Sequence, residues 1–249
     1  MADWKAVIFD LDDTLYAERQ YVLSGFRAVA AHAADRFGIP ADRAYAELSA
    51  LFSQGIRGNT FDLWLASHGL PASLVPELIN VYRLHTPSIN PFPEVPPLLT
   101  SLRRRFRIGI VSDGVLGVQR AKFASLGLAP AFDAVVFSDA LGPGAWKPSP
   151  LAFLAAVREL DVDPCEAIYV ADNPRKDFLG ARCAGLASVW CRHARGEYAT
   201  VTPASDAHCA DYVIDSLTLL EPLLTAPDVR ERCRASPATI GQLDSDLRR

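Results

Sequence analysis

The chain opens on an unbroken apolar run, Ala6–Phe9, within the segment Lys5–Asp10. Such a run predicts a short strand in a parallel sheet covered on both faces. The pattern then changes period. From residue 16 to about residue 90, apolar side chains recur three and four apart, as Val22, Phe26, Val29, Ala33 and Phe37 do. That is helical spacing, and Gly38 and Pro40 should end this helix. A second helix is expected around Tyr45, Leu48, Leu51 and Phe52. A third, capped by Asn59 or Thr60, carries Phe61, Trp64 and Leu65. A fourth runs from a Ser73 cap to near His85. No strand pattern breaks this stretch.

Five prolines between Pro87 and Pro97 punctuate the return. Beyond them helix and strand patterns alternate. Helix is expected over 98–106, strand over 107–112, helix over 115–126 and strand over 134–138. Ser149 is placed to cap a further helix with Pro150 in its first turn. A strand over 167–171, a helix over 176–185 and strands over 187–191 and 212–214 complete the pattern. Alternation of this kind predicts an α/β fold, a Rossmann-like doubly wound parallel sheet. The domain reading is an α/β core of residues 1–15 and 91–224, an inserted all-helical domain of 16–90, and a C-terminal tail of 225–249.

Composition narrows the function. Half of the 249 residues are hydrophobic, enough for a sizeable core. The formal charge is −4 with both signs interspersed, unlike the basic footprint of a nucleic-acid binder. No apolar run nears the roughly 20 residues that span a membrane, and the N-terminus lacks a signal-peptide pattern. The five cysteines are unpaired by spacing and read as reduced thiols of a cytoplasmic protein, a monomer or homodimer. The five histidines show no ligand spacing.

Ligands of open α/β sheets bind beyond the carboxyl ends of the strands, and four strand ends carry suitable groups. In VIFDLDDTL, residues 7–15, Asp10 directly follows a buried strand and can attack phosphorus. Asp12, two residues on, can protonate a leaving alkoxide and then deprotonate water. Thr14 and the loop amides can bind phosphate. In IVSDG, residues 110–114, Ser112 and nearby N–H groups can hold an oxyanion, and Gly114 permits close backbone approach. Lys147, in WKPSP, can neutralise both Asp10 and a bound phosphate. In YVADNPRKDFLGA, residues 169–181, Asp172 and Asp177 flank a tight turn. Asp10, Asp172 and the carbonyl of Asp12 would give Mg²⁺ its hard oxygen ligands, with Asp177 bound through water or holding Lys147. Each segment also has a plainer reading: an acidic loop, an ordinary strand-to-helix turn, a solvated lysine, or a helix cap formed by Asp172 or Asn173.

In order and spacing, the four segments together resemble the motifs of the haloacid dehalogenase superfamily, and the helical insertion resembles that family's cap. The resemblance implies a phosphatase with Asp10 as nucleophile and Asp12 as general acid/base. It implies Ser112 and Lys147 as phosphate binders, and Asp172, with Asp177, as the metal site. Two positions depart from the family pattern. Asp113 stands where asparagine is frequent, and its carboxylate would repel phosphate unless it turns away. Ala171 stands where glycine is frequent.

Asp12 argues against a dehalogenase, since halide leaves unprotonated, and against the family's ATPases. No lysine lies between Leu15 and Asn90, which disfavours Schiff-base phosphonate hydrolysis. A phosphomutase and a non-catalytic phosphate-ligand-binding module are the alternatives. Specificity is expected from the insertion, where Arg57 in SQGIRGNT, residues 53–60, can meet an anionic or polyhydroxyl leaving group. The expected substrate is a small phosphorylated metabolite: a sugar phosphate, a nucleotide or a phospho-acid.

Overall fold

The computed structural model describes residues 4–193 and 196–226. Its contacts divide these residues into two units. One takes in residues up to Leu15, Phe92–Gly114 and those from Pro130 onward; the other is Tyr16–Pro91 with Val115–Ala129.

The first unit is built on six parallel strands: β1 (Ala6–Phe9), β2 (Arg107–Ser112), β3 (Ala134–Phe137), β4 (Ala167–Ala171), β5 (Ala187–Cys191) and β6 (Tyr212–Ile214). Their order is β3-β2-β1-β4-β5-β6. The register pairs Phe9 with Ile110 on one side and Val170 on the other, so β2 runs two residues and β4 one residue past the end of β1. The strands lie where the apolar runs predict them. All four residues of β1 and all five of β4 are buried, as a sheet covered on both faces requires.

The helices, in chain order, are α1 (Glu18–Phe37), α2 (Ala41–Ser53), α3 (Thr60–Ser67), α4 (Val75–Leu84), α5 (Val95–Leu102), α6 (Leu116–Ser125), α7 (Leu151–Glu159), α8 (Asp177–Cys183) and α9 (Leu220–Thr225). α7 and α8 bury Ala152, Phe153, Phe178 and Ala181 against Ile8, Val111, Val136 and Tyr169 of the sheet. Gly180 of α8 lets that helix close on the chain at Pro148: a Cβ there would lie 2.7 Å from the Pro148 carbonyl oxygen. The Lys147–Pro148 peptide is cis.

The second unit is helical. Phe26, Val29, Leu48, Trp64, Leu65 and Leu78 form its own core. Gly38 ends α1 in the left-handed conformation, φ 70°, its N–H reaching the carbonyls of Ala33 and Ala34. α6, which the sequence pattern assigns to the core, groups with these helices. Its Lys122 ammonium lies 4.4 Å above the Tyr21 ring of α1 and 3.5 Å from Glu18.

Three caps differ from expectation. The Asn59 side chain makes no capping bond to α3. Ser73 sits inside a 3₁₀ turn, Ala72–Leu74, that precedes α4. α7 begins at Leu151 with Pro150 as its flanking residue, so Ser149 lies one position too early. Proline's fixed φ and the orphan N–H groups of a first turn tolerate such starts without a side-chain cap. Of the tail read as 225–249, Thr225 is the last residue of α9, and residues 227–249 lie outside the described residues.

Candidate active site

Asp10, Lys147, and the pair Asp172 and Asp177 come from three separate segments of the chain and meet beyond the carboxyl ends of β1 and β4. Asp10 follows β1 directly, and its N–H is held by the Val170 carbonyl of β4 at 2.9 Å. Asp172 follows β4, and Asp177 opens α8. The Lys147 ammonium donates to Asp10 Oδ1 at 2.5 Å, Asp177 Oδ1 at 2.7 Å and the Tyr169 hydroxyl at 2.7 Å. Its side chain has no exposed surface. A lysine so enclosed is not the solvated residue of the plainer reading.

The remaining oxygen of Asp177, Oδ2, accepts from the Asn173 N–H at 3.1 Å. Asn173 Oδ1 accepts from the Arg175 N–H at 3.0 Å, forming the turn ahead of α8. The residue flanking α8 is Lys176, with no side-chain capping bond, so neither Asp172 nor Asn173 caps that helix.

Burial sets the electrostatics. Desolvation raises the Asp10 carboxyl to about 6; Lys147 pulls against this rise and Asp177 adds to it. Asp172 is pushed well above the usual carboxylate range, first by burial and then by Asp177 and Asp10. Burial opposes the charge on Lys147, yet Asp10, Asp177 and Asp113 outweigh it and hold the ammonium above an ordinary lysine. Among the described residues, the site therefore concentrates more negative charge than the buried Lys147 offsets.

That imbalance fits a divalent cation. Asp10, Asp172 and Asp177 each offer an oxygen, and these lie within 4.8 Å of one another. Asp172 Oδ2 is buried and has no hydrogen-bond partner among the described residues. Orphaned buried oxygens are rare and call for a ligand. Carboxylate oxygens are the donors that Mg²⁺ prefers.

The other expected residues fall as follows. Asp12 is half-buried in the loop after β1, beside Asp13, whose φ is 51°. Thr14 is fully buried, and its hydroxyl has no partner among the described residues. Ser112 is buried at the end of β2, and Gly114 takes φ 133°, open to glycine. Asp113 turns its carboxylate to the protein: Oδ1 accepts from the Ser138 hydroxyl at 2.6 Å, and the Lys147 N–H lies 3.2 Å from Oδ1 and 3.0 Å from Oδ2. What Asp113 has left to offer an anion is its main chain. Arg57, in the helical unit, donates to the Phe52 and Ile56 carbonyls at 2.7 and 3.1 Å and stacks 3.7 Å above the Phe52 ring.

Two neighbours escape a reading by motif. Tyr169 lies inside an apolar strand, and Ser138 follows β3. A buried tyrosine hydroxyl normally needs a partner, the one signal that points to Tyr169.

The family model for haloacid dehalogenase-like hydrolases matches residues 4–185. The chain belongs to that family. It is 34% identical to a glyceraldehyde 3-phosphate phosphatase of Methanopyrus kandleri over 85% of this chain and 93% of that one. A phosphoserine phosphatase of Thermus thermophilus is 41% identical over 40% of this chain and 39% of its own. Among solved structures, a phosphatase of the family from Thermococcus onnurineus aligns with a TM-score of 0.58 and 28% identity, covering 89% of this chain and 98% of that one. Within the haloacid dehalogenase-like hydrolases the chain is a phosphoric monoester hydrolase. No described helix is long and apolar enough to cross a membrane.

Proposed function

We propose that the protein hydrolyses a small phosphate monoester through a phosphorylated Asp10, with Mg²⁺ as its cation. The observation that carries this reading is the buried cluster in which Lys147 grips Asp10 Oδ1 and an oxygen each of Asp10, Asp172 and Asp177 lie within 4.8 Å of one another.

An Asp10 carboxylate oxygen bonds to phosphorus as the ester P–O bond breaks. Asp12 gives its proton to the departing alkoxide. The resulting Asp12 carboxylate takes a proton from water, whose oxygen attacks phosphorus; the bond to Asp10 breaks, and inorganic phosphate leaves. Lys147 fixes the orientation of Asp10 and offsets charge on the phosphoryl oxygens. Ser112 and the main chain at Asp113 and Gly114 hold those oxygens, and Thr14 has a hydroxyl to contribute. Asp10, Asp172 and Asp177, with the Asp12 carbonyl, would hold Mg²⁺, which when bound neutralises phosphoryl charge.

The substrate class is small phosphorylated metabolites. The relative matched over most of both chains is named for a three-carbon sugar phosphate, which makes that ester the first to test. The experiment is phosphate release from p-nitrophenyl phosphate, glyceraldehyde 3-phosphate, phosphoserine and nucleoside monophosphates, with Mg²⁺ or EDTA. Metal-dependent release lost in Asp10→Asn is the expected result. Equal turnover in Asp10→Asn and wild type would sink the mechanism. A folded, metal-binding protein that isomerises sugar phosphates without releasing phosphate would be a mutase. One that binds phosphate without any turnover would be a binding module.

A further inference from the structure

Lys147 is fastened at both ends, and two of the residues that fasten it, Tyr169 and Asp113, bring no side chain to phosphate or metal in the mechanism above. An ammonium has three N–H donors. Here all three are committed, to Asp10 Oδ1, Asp177 Oδ1 and the Tyr169 hydroxyl. Two of these legs are carboxylates of the cation cluster. The third is neutral and tied back to the sheet: the Tyr169 hydroxyl lies 3.4 Å from the Val111 carbonyl of β2 and 3.3 Å from Asp177 Oδ1. Burial and the surrounding carboxylates hold its proton far more firmly than an ordinary phenol's. Phe153 packs edge-on against the ring, centroids 4.8 Å apart, so the hydroxyl has one direction in which to point.

The other end of the residue is held by Asp113. Its carboxylate faces the Lys147 N–H with both oxygens and takes the Ser138 hydroxyl as well. That side chain is 5% exposed. Asp113 thereby joins the ends of β2 and β3 to the loop that delivers the lysine.

We propose that Tyr169 and Asp113 are positioning residues for Lys147, one for its ammonium and one for its main chain. The proposal rests on Lys147 acting on Asp10 and the phosphoryl group. Its chemical reason is the intermediate. Once phosphorylated, the Asp10 carboxyl is an uncharged acyl carbonyl and a weaker acceptor, and the negative charge sits on the phosphoryl oxygens. Asp177 and Tyr169 then keep the ammonium in place for the second step. The carboxylate of Asp113, awkward for a phosphate ligand, is placed to hold a main-chain donor.

The test compares Tyr169→Phe, Asp113→Ala, Asp113→Asn and Lys147→Ala with wild type, reading kcat, KM and Tm on p-nitrophenyl phosphate with Mg²⁺. A misplaced catalytic group costs up to about 100-fold in rate. Tyr169→Phe and Asp113→Ala should therefore lower kcat by about 10- to 100-fold with KM within about three-fold. Asp113→Asn keeps an oxygen for the Lys147 N–H and should restore most of the kcat lost in Asp113→Ala. Tyr169→Phe deletes one oxygen and keeps the ring, so it decides the matter if Asp113→Ala does not fold. Wild-type kcat in Tyr169→Phe and Asp113→Ala beside an inactive Lys147→Ala would overturn the positioning role and leave the function standing. Wild-type kcat in Lys147→Ala would overturn the role of Lys147 itself, and the proposal with it.

Discussion

Replacing Asp10 by asparagine should abolish turnover and, without metal, make the protein more stable. Burial raises the Asp10 carboxyl from its ordinary 3.8 to about 6. A group that holds its proton more tightly in the folded state contributes stability below its unfolded value and loses it as pH rises through the folded one. Here the loss falls between about pH 4 and pH 6. The shift is about two units, and at 1.36 kcal/mol per unit the ionised carboxylate costs the folded state about 3 kcal/mol at pH 7. Asparagine mimics the neutral acid in shape and still offers Lys147 an oxygen. Asp10→Asn should therefore gain about 1–3 kcal/mol at pH 7 in EDTA, with the advantage vanishing near pH 4. Saturating Mg²⁺ should stabilise wild type more than the variant and narrow the gap. Urea unfolding of both proteins between pH 4 and pH 8, with EDTA and with Mg²⁺, measures this. An Asp10→Asn protein less stable than wild type at pH 7 in EDTA, or a difference that ignores pH, would refute the claim that desolvation dominates this carboxylate.

Asp12→Asn should lower turnover by about 10²–10⁴-fold with Tm nearly unchanged, since the residue is half-buried and acts through its proton; steady-state kinetics and a thermal scan check both halves. Gly180→Ala should destabilise by about 1–3 kcal/mol and reduce activity, because the new methyl would press on Phe153 and the Pro148 carbonyl beside Lys147; wild-type stability would mean that the loop yields freely. Glu47 of α2 is partly desolvated, yet bonds from His68, Arg43 and Trp64 hold its carboxyl down at about 2. Its contribution is present above its ordinary 4.5 and lost as pH falls toward 2. Because that side chain is 33% exposed, Glu47→Gln should cost only about 1 kcal/mol at pH 6, shrinking in acid; denaturant melts at several pH values check it.

The strands and the polar residues at their ends were legible for one physical reason. A short buried strand must be apolar throughout, so a carboxylate that ends such a run stands out, as Asp10 after Ala6–Phe9 and Asp172 after Ala167–Ala171 do. Lys147 was legible only through its motif, since sequence alone does not distinguish a buried ammonium from a solvated one. Tyr169 was hidden because a tyrosine fits the apolar alternation of β4 as well as phenylalanine would. Ser138 and the turn of Asp113 away from an anion depend on β3 lying beside β2, a pairing that no local pattern carries. The missed caps reflect a different limit. Ser73 and Ser149 have the right chemistry, but a 3₁₀ turn and a proline shifted the helix starts by one or two residues.

The place of β1 in the sheet has a consequence for synthesis on the ribosome. It is a central strand, flanked by β2 and β4, yet its last residue is Phe9, while β2 begins at Arg107 and β4 at Ala167. At roughly 5–20 residues per second, the most apolar edge of the nascent chain waits on the order of 5–20 s for its first partner. The helices α1 to α4 emerge during that interval and can bury their own core at once, because their contacts are local. The strand that carries the nucleophile is thus made before both of its neighbours and stays unpaired until they follow, and a holdase acting on this chain has its clearest target at Ala6–Phe9.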